Sequence, residues 1–249
     1  MKKYLQFIKP ASNASHIAYY GLNIGLPLLI LALVRIDLVI IAAIFVLLAK
    51  WRMFAVQPRY WIPNLRANAV DIFIGLSVVI FMAGTNTFAV QLFWTIAYIG
   101  WIIYLKPKSQ QVAVMAQALI AQALSLVAFY QAVNNHSIVA AVVGVAIITY
   151  VCARHFFGAF DEPLTRQYSA IWAWFAACLT WVLEHWVLYY LAIPQTALVL
   201  SLVGYSLAFL YYLHVNHRLK SSIIRQFIIL VTVLLFIIVA FSDWQDKAL

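Results

Sequence analysis

An acid and an imidazole lie side by side in the apolar, aromatic stretch WVLEHWVLYY, as Glu184 and His185. An ionised, unpaired carboxylate inside a bilayer is costly, so such a residue is protonated, paired or in contact with water. Intramembrane ionisable residues are functional-site candidates for this reason. Adjacent side chains on a helix point about 100° apart, so the two residues contact different neighbours. We therefore predict a proton or ligand site that includes this pair.

Candidate partners for Glu184 come from its own helix and from other segments. Thr180, one turn earlier, shares its helix face, and Trp181 is expected to pack between helices near the carboxylate. Arg35, and the connection NNH at residues 134–136, could fold towards it. A Glu184–Arg35 salt bridge would tie helices together without chemistry. Two glutamines of an alanine-rich segment could hydrogen-bond across a helix interface. The predicted site comprises Glu184, His185, Trp181, Thr180, Arg35, Gln117 and Gln122.

A second polar set lies in RHFFGAFDEPLTR and LHVNHR. His214 and His217 are three residues apart and share a helix face, so with His155 and a carboxylate they could ligate a metal. Imidazoles at a helix C-terminus also stabilise the helix dipole without any ligand. No metal or other cofactor is predicted. The candidates in this set are His155, Glu162, Arg166, His214 and His217.

The hexamer DEPLTR resembles the acidic-acidic-x-x-x-Arg motif of CAAX-type intramembrane metalloproteases, and WVLEH and LHVNH follow in the order of that family's two histidine motifs. The resemblance implies that Glu162 and His185 share a catalytic metal. About 23 residues of helix would separate them by roughly 34 Å, which excludes a common metal. Arg218 also stands at the position of the third motif's asparagine. The chain is therefore not assigned to this family.

The longest connection, KWRMFAVQPRYWIPNLRAN, interleaves aromatic and basic residues. Aromatic rings and guanidinium groups in such a segment suit the headgroup level of a membrane. We predict that it anchors the chain to anionic headgroups. Just beyond it, Asn68 and Asp71 fit the first turn of the third span, as helix cap and third helical residue. The headgroup candidates are Arg52, Arg59, Arg66, Trp51 and Trp61.

The composition places all these residues in a membrane protein. Apolar residues make up 66% and charged residues 9% of the 249 residues, with a mean hydropathy of +0.96, whereas soluble domains carry about 25% charge. Runs near the roughly 20 residues that cross a bilayer recur along the chain, and they do not alternate as barrel strands do. The predicted fold is an all-α bundle of nine spans that leaves no soluble domain. The spans are 17–34, 37–55, 69–86, 88–105, 111–132, 137–157, 168–192, 195–213 and 223–242.

The distribution of basic residues predicts the orientation. With these spans, all 16 basic residues except Arg35 and Lys247 fall on one side, as the positive-inside rule requires of cytoplasmic loops. The N-terminus is then cytoplasmic and the C-terminus outside, in a membrane that we predict to be the bacterial inner membrane. The net charge of +9 is explained by topology and anionic headgroups, so no nucleic acid partner is implied.

Three functions fit this sequence. A carrier or permease-like protein for a small solute or lipid, with Glu184 linked to proton movement, is the preferred interpretation. A membrane enzyme acting on a lipid-borne substrate at the cytoplasmic face is the less favoured alternative. The third is a non-catalytic scaffold subunit, which would associate with other membrane proteins or with copies of itself.

Overall fold

The computed structural model describes residues 13–133, 137–185, 189–190 and 193–242. Asn134, Asn135, His136, Trp186, Lys247 and the lysines before residue 13 lie outside these residues, as does the side chain of Arg52. Nine α-helices occur within the described residues. They are α1 Asn13–Arg35, α2 Val39–Leu48, α3 Trp61–Ala83, α4 Phe88–Gly100, α5 Gln111–Ala132, α6 Ile138–Gly158, α7 Thr165–Leu183, α8 Gln195–Val215 and α9 Ser221–Ala240.

Five short elements complete the described structure. Two 3₁₀ helices, Trp51–Met53 and Pro58–Tyr60, lead into α3, and α4 continues as a π-helix, Trp101–Leu105. Strands β1 Tyr189–Tyr190 and β2 Ile193–Pro194 pair antiparallel between α7 and α8.

Six helical segments of the described chain are long and apolar enough to cross a membrane. The prediction of an all-α, multi-pass membrane protein is therefore confirmed at this level. The count of nine crossings and the orientation stay predictions. The six segments are Pro58–Ala83, Phe88–Leu105, Gln111–Ala132, Ile138–Gly158, Gln195–Val215 and Ser221–Ala240.

Three helices differ from the predicted spans. α2 ends at Leu48 instead of residue 55, because the chain turns there. α3 begins at Trp61, eight residues earlier than predicted, since Pro63 in its first turn lacks only an N–H that would be unpaired anyway. α7 ends at Leu183, and the β-prone Tyr189 and Tyr190 further along the chain pair with Ile193–Pro194.

α3 and α5 form the centre of the bundle. α3 contacts α1, α2, α4, α5 and α6, and α5 contacts α6 and α8. Small residues of α5 such as Ala118, Ala121 and Ala128 are buried, which allows neighbouring backbones to approach closely. α9 packs against α8 at the periphery and has no buried residue. α3 and α5 therefore connect most of the other helices, and α9 faces the surroundings of the bundle.

Candidate functional site

Glu184 lies at the end of α7 and not deep within a helix. The helix ends at Leu183, and the Glu184 backbone N–H donates to the Thr180 carbonyl at 2.9 Å. The prediction that Glu184 lies within a span is therefore wrong, because the chain leaves the helix before it. The carboxyl group lies beside the Tyr130 hydroxyl, so this contact joins the end of α7 to α5.

Tyr130 is the neighbour of Glu184 that the sequence did not reveal. Its buried hydroxyl oxygen lies close to Glu184, Thr180 and Thr196, and completes no hydrogen bond with any described residue. The Thr180 hydroxyl instead donates to the Ala176 carbonyl at 2.7 Å. These four side chains form a small polar cluster where α5, α7 and α8 meet.

The other residues predicted to surround Glu184 do not converge on it. The Arg35 guanidinium donates to the Asn86 carbonyl at 3.4 Å and lies 5.7 Å from the centre of the Phe88 ring. The described chain contains no ion pair between Arg35 and Glu184. His185 Nδ1 lies 2.6 Å from the Trp181 carbonyl oxygen. Trp181 is 49% exposed, so the expectation that it packs between helices is wrong.

The opposite end of the bundle holds a group of charges that we call the lysine–aspartate cluster: Lys50, Asp71, Trp101 and Lys106. Both ammonium groups contact Asp71 Oδ2, from Lys50 at 2.7 Å and from Lys106 at 3.2 Å. The Trp101 indole N–H donates to Asp71 Oδ1 at 3.1 Å. The carboxylate of Asp71 in α3 therefore binds one lysine that follows α2 and two side chains at the two ends of the π-helix.

This position of Asp71 corrects the sequence prediction. Because α3 begins at Trp61, Asp71 lies in the helix interior and not in the first turn. Asn68 does not cap the helix either, since its amide donates to the Asn64 carbonyl at 2.9 Å. The side chains of Lys50 and Asp71 are only 12% and 16% exposed. Asp71 is thus a half-buried, paired acid that the sequence placed in the first turn of a helix.

The lysine–aspartate cluster carries more positive than negative charge. Two lysines share one carboxylate, and the Lys106 side chain is 38% exposed. Burial lowers the pKa of Lys50, which lies outside the helices, to about 8, although Asp71 acts in the opposite direction. Lys106 adds to the lowering by like-charge repulsion. The site therefore stabilises an additional negative charge better than an additional positive one.

Gln117 and His155 were predicted to belong to different sites, but they contact each other. His155 Nε2 lies 3.0 Å from Gln117 Oε1. The Gln117 amide nitrogen donates to the carbonyls of Leu105 at 2.6 Å and Lys108 at 3.1 Å. Carbonyls at a helix end need partners from outside the helix. Gln117 supplies them for the π-helix that ends at Leu105, and it ties this turn to α6.

The remaining candidates at this end have separate positions. Glu162 accepts from the Leu164 backbone N–H at 3.3 Å and from the Tyr211 hydroxyl, so it joins the start of α7 to α8. His214, His217 and Arg166 are exposed. No group of three His, Cys, Asp or Glu residues that could hold a metal occurs among the described residues. The alternative of a metal bound by the three histidines therefore has no support in this part of the chain.

The connection before α3 folds back on itself. The Trp61 indole donates to the Val56 carbonyl at 2.9 Å, and the Asn64 amide donates to the Met53 carbonyl at 3.3 Å. The Arg59 guanidinium lies over the Tyr60 ring at 4.7 Å. Arg66 and Trp51 are exposed. The segment thus presents apolar rings and cations together at its surface.

A cavity of about 380 Å³ lies between α5, α6, α7 and α8. We call it the aromatic cavity, because five aromatic side chains line it, and its volume is in the range of ligand pockets. Ala118, Ala153 and Ala208 line it as well and leave the space open. The aromatic lining residues are Phe156, Phe157, Tyr168, Trp172 and Phe175.

Gln122 positions the wall of this cavity. Its side-chain oxygen accepts from the Trp172 indole at 3.1 Å, and its nitrogen donates to the Leu200 carbonyl at 3.3 Å. A Cβ atom on Gly204 would lie 2.7 Å from the Gln122 nitrogen and 3.1 Å from Trp172. Gly204 therefore permits the close approach of α8, and the amide of Gln122 is occupied by protein partners.

The aromatic cavity opens towards the side of the bundle. α7 and α8 contact each other little, whereas α7 packs closely on α6. Ile171, Phe175 and Leu207 line the cavity and are exposed at its mouth, Ile171 to 64%. Neither Glu184 nor Trp181 lines this cavity. The cavity is thus accessible from outside the bundle.

Comparison with family models, curated proteins and solved structures finds no match to this chain.

Proposed function

We propose that this chain is a carrier or permease-like membrane protein that takes a lipid, or another small molecule bearing a hydrocarbon chain, from the bilayer into the aromatic cavity. The observation that carries this proposal is the exposure of the cavity-lining residues Ile171, Phe175 and Leu207 on α7 and α8, which contact each other little. The aromatic and alanine lining favours a hydrocarbon chain, because apolar contact stabilises it without polar partners.

The occupied amide of Gln122 supports this choice of ligand class. Its nitrogen and oxygen already bond to Leu200 and Trp172, so it offers few free hydrogen bonds to a polar solute. A polar solute inside such a cavity would lose its bonds to water without replacement. The part of the ligand that enters is therefore apolar, and its polar head stays outside the cavity.

The orientation and surroundings belong to the same proposal. The N-terminus is cytoplasmic and the C-terminus outside, nine spans cross the bacterial inner membrane, and anionic headgroups contact the segment around Arg59, Arg66, Trp51 and Trp61. The distribution of basic residues supports this arrangement. The enzyme alternative has less support, since His155 bonds to Gln117 while His214 and His217 are exposed.

Proton linkage through Glu184 is a separable part of the proposal. The contact of Glu184 with the unpaired hydroxyl of Tyr130 supports it, because a proton on the carboxyl group would supply a donor to that oxygen. The rate at which a fluorescent lipid moves across vesicle membranes tests this role. Equal rates for the wild type and Glu184→Gln would exclude proton linkage at this residue.

Native mass spectrometry of the protein purified in mild detergent tests lipid binding. The wild type is expected to retain about one lipid per chain, since a cavity of this size holds one small ligand. Ala208→Phe places a ring into the aromatic cavity, and we expect it to reduce the retained lipid several-fold. Ala118→Leu fills less space and gives a second test if the larger ring impairs folding.

Ala128→Phe is the matched control. Ala128 lines a different cavity, of about 260 Å³ between α3, α5 and α6, so the same substitution there should leave lipid retention unchanged. The proposal fails if folded Ala208→Phe and Ala118→Leu proteins retain as much lipid as the wild type.

A further inference from the structure

The lysine–aspartate cluster has a geometry that the proposed carrier function does not use. Gln117 of α5 donates to the Leu105 carbonyl at the end of the π-helix, and His155 of α6 contacts Gln117. The cluster therefore lies on the side of α5 and α6 that faces α3 and α4. The aromatic cavity is on the other side, lined by Ala118 and Phe156. An inference about the cluster is therefore independent of the lipid cavity.

The three charged groups form a row. Lys50 and Lys106 both contact the same oxygen of Asp71, so the charges follow the order positive, negative, positive. The two ammonium groups are at most about 6 Å apart, since both contact one oxygen atom, and like charges at this distance repel each other when they are partly buried. A second anion at the end of the row would offset this repulsion.

Exposure decides which end of the row an anion can reach. The Lys50 side chain is 12% exposed and the Lys106 side chain 38% exposed. Lys106 follows the π-helix, and exposed Lys108 lies two residues further along. Of the two lysines in the row, Lys106 is therefore the one that an anion from outside the chain can reach.

The surroundings suit a phosphate group at the membrane surface. Trp51, Trp61 and Ile62 are exposed in the segment that follows Lys50. Exposed tryptophans beside cations are typical of the headgroup level. A phosphate oxygen is a strong acceptor for an ammonium donor.

We infer that Lys106, at the exposed end of the Lys50–Asp71–Lys106 row, binds a phosphate-bearing anion, either the phosphodiester of an anionic lipid headgroup or free phosphate. Binding extends the row to four alternating charges. Asp71 holds both lysines in position, and Lys106 makes the contact with the phosphate oxygen.

The test uses the full-length protein in detergent, titrated separately with short-chain phosphatidylglycerol, short-chain phosphatidylcholine and inorganic phosphate. Binding is measured through the shift of the thermal unfolding midpoint. Phosphatidylglycerol is expected to bind more tightly than phosphatidylcholine. Lys106→Gln should weaken that binding about fivefold, the usual contribution of one lysine near anionic headgroups, while its Lys50–Asp71 pair keeps the fold intact.

Lys108→Gln is the matched control, because it removes an exposed charge two residues away and outside the row. If inorganic phosphate binds with the same dependence on Lys106, the ligand is free phosphate; if only phosphatidylglycerol binds, it is a lipid headgroup. Equal losses in Lys106→Gln and Lys108→Gln, or binding by neither anion, would overturn the inference.

Discussion

Asp71 is the residue that joins the lysine–aspartate cluster. It accepts from Lys50, Lys106 and Trp101, and its own burial depends on these partners. Removal of one member of a buried ion pair leaves the other charge unpaired in a medium of low dielectric constant. The residue is therefore a structural support, and it also positions Lys106 for the proposed anion contact.

We predict that Asp71→Leu lowers the free energy of unfolding by about 3 kcal/mol. The cause is the uncompensated ammonium group of Lys50, since Lys106 is exposed enough to turn towards water. Unfolding in a denaturing detergent measures the change. The double variant Lys50→Met with Asp71→Leu is the control and should recover most of the loss. If the double variant is less stable than Asp71→Leu, the assigned pairing is incorrect.

The sequence was informative about some single residues and not about others. Gln117 and Gln122 were recognised as hydrogen-bonding groups inside an apolar helix, and both bond to other helices. Their partners were not predictable, because which residues face each other depends on the rotation of each helix about its axis. Asp71 was misplaced for a simpler reason: one misjudged helix start moved it from the interior to the first turn.

At the level of elements, helices were easier to predict than their ends. Long apolar runs specify helices in a membrane, since the backbone must satisfy its own hydrogen bonds there. The ends depend on tertiary contacts. α3 extends back to Trp61 where the Asn64 amide bonds to Met53, a contact that leaves no local pattern in the sequence. α7 ends at Leu183, before the strand pair that begins at Tyr189.

The packing of α3 predicts a contrast between two glycines. A Cβ atom on Gly75 would lie 2.5 Å from Val46 and 2.7 Å from the Tyr98 hydroxyl oxygen. Gly75→Ala should therefore destabilise the protein by about 1–3 kcal/mol, as overpacking does. Thermal unfolding of the purified protein measures the effect.

Gly25→Ala in α1 is the control. A Cβ atom there would have no neighbour within 4 Å, so the higher helix propensity of alanine should leave stability unchanged or raise it by up to about 1 kcal/mol. The described packing between α2, α3 and α4 would be contradicted if the two substitutions had equal effects.

The whole molecule combines a fixed centre with an opening at its side. α3 and α5 contact most of the other helices, whereas α7 and α8 leave the aromatic cavity accessible between them. α9 has no buried residue and does not line the aromatic cavity. Its residues therefore serve as a reference for side chains that are exposed but lie outside the cavity. Overall hydropathy predicted the membrane class, but a cavity between four helices arises from their relative positions and has no sequence signature.

Photolabelling tests the central claim most directly. The protein in lipid nanodiscs would be exposed to a phospholipid that carries a photoreactive group on its acyl chain, and the adducts mapped by peptide mass spectrometry. We predict adducts concentrated at Ile171, Phe175 and Leu207 that excess unlabelled lipid removes, together with adducts on α9 that resist this competition. The claim is contradicted if the cavity residues are labelled no more strongly than equally exposed residues of α9 and if excess unlabelled lipid does not reduce their labelling.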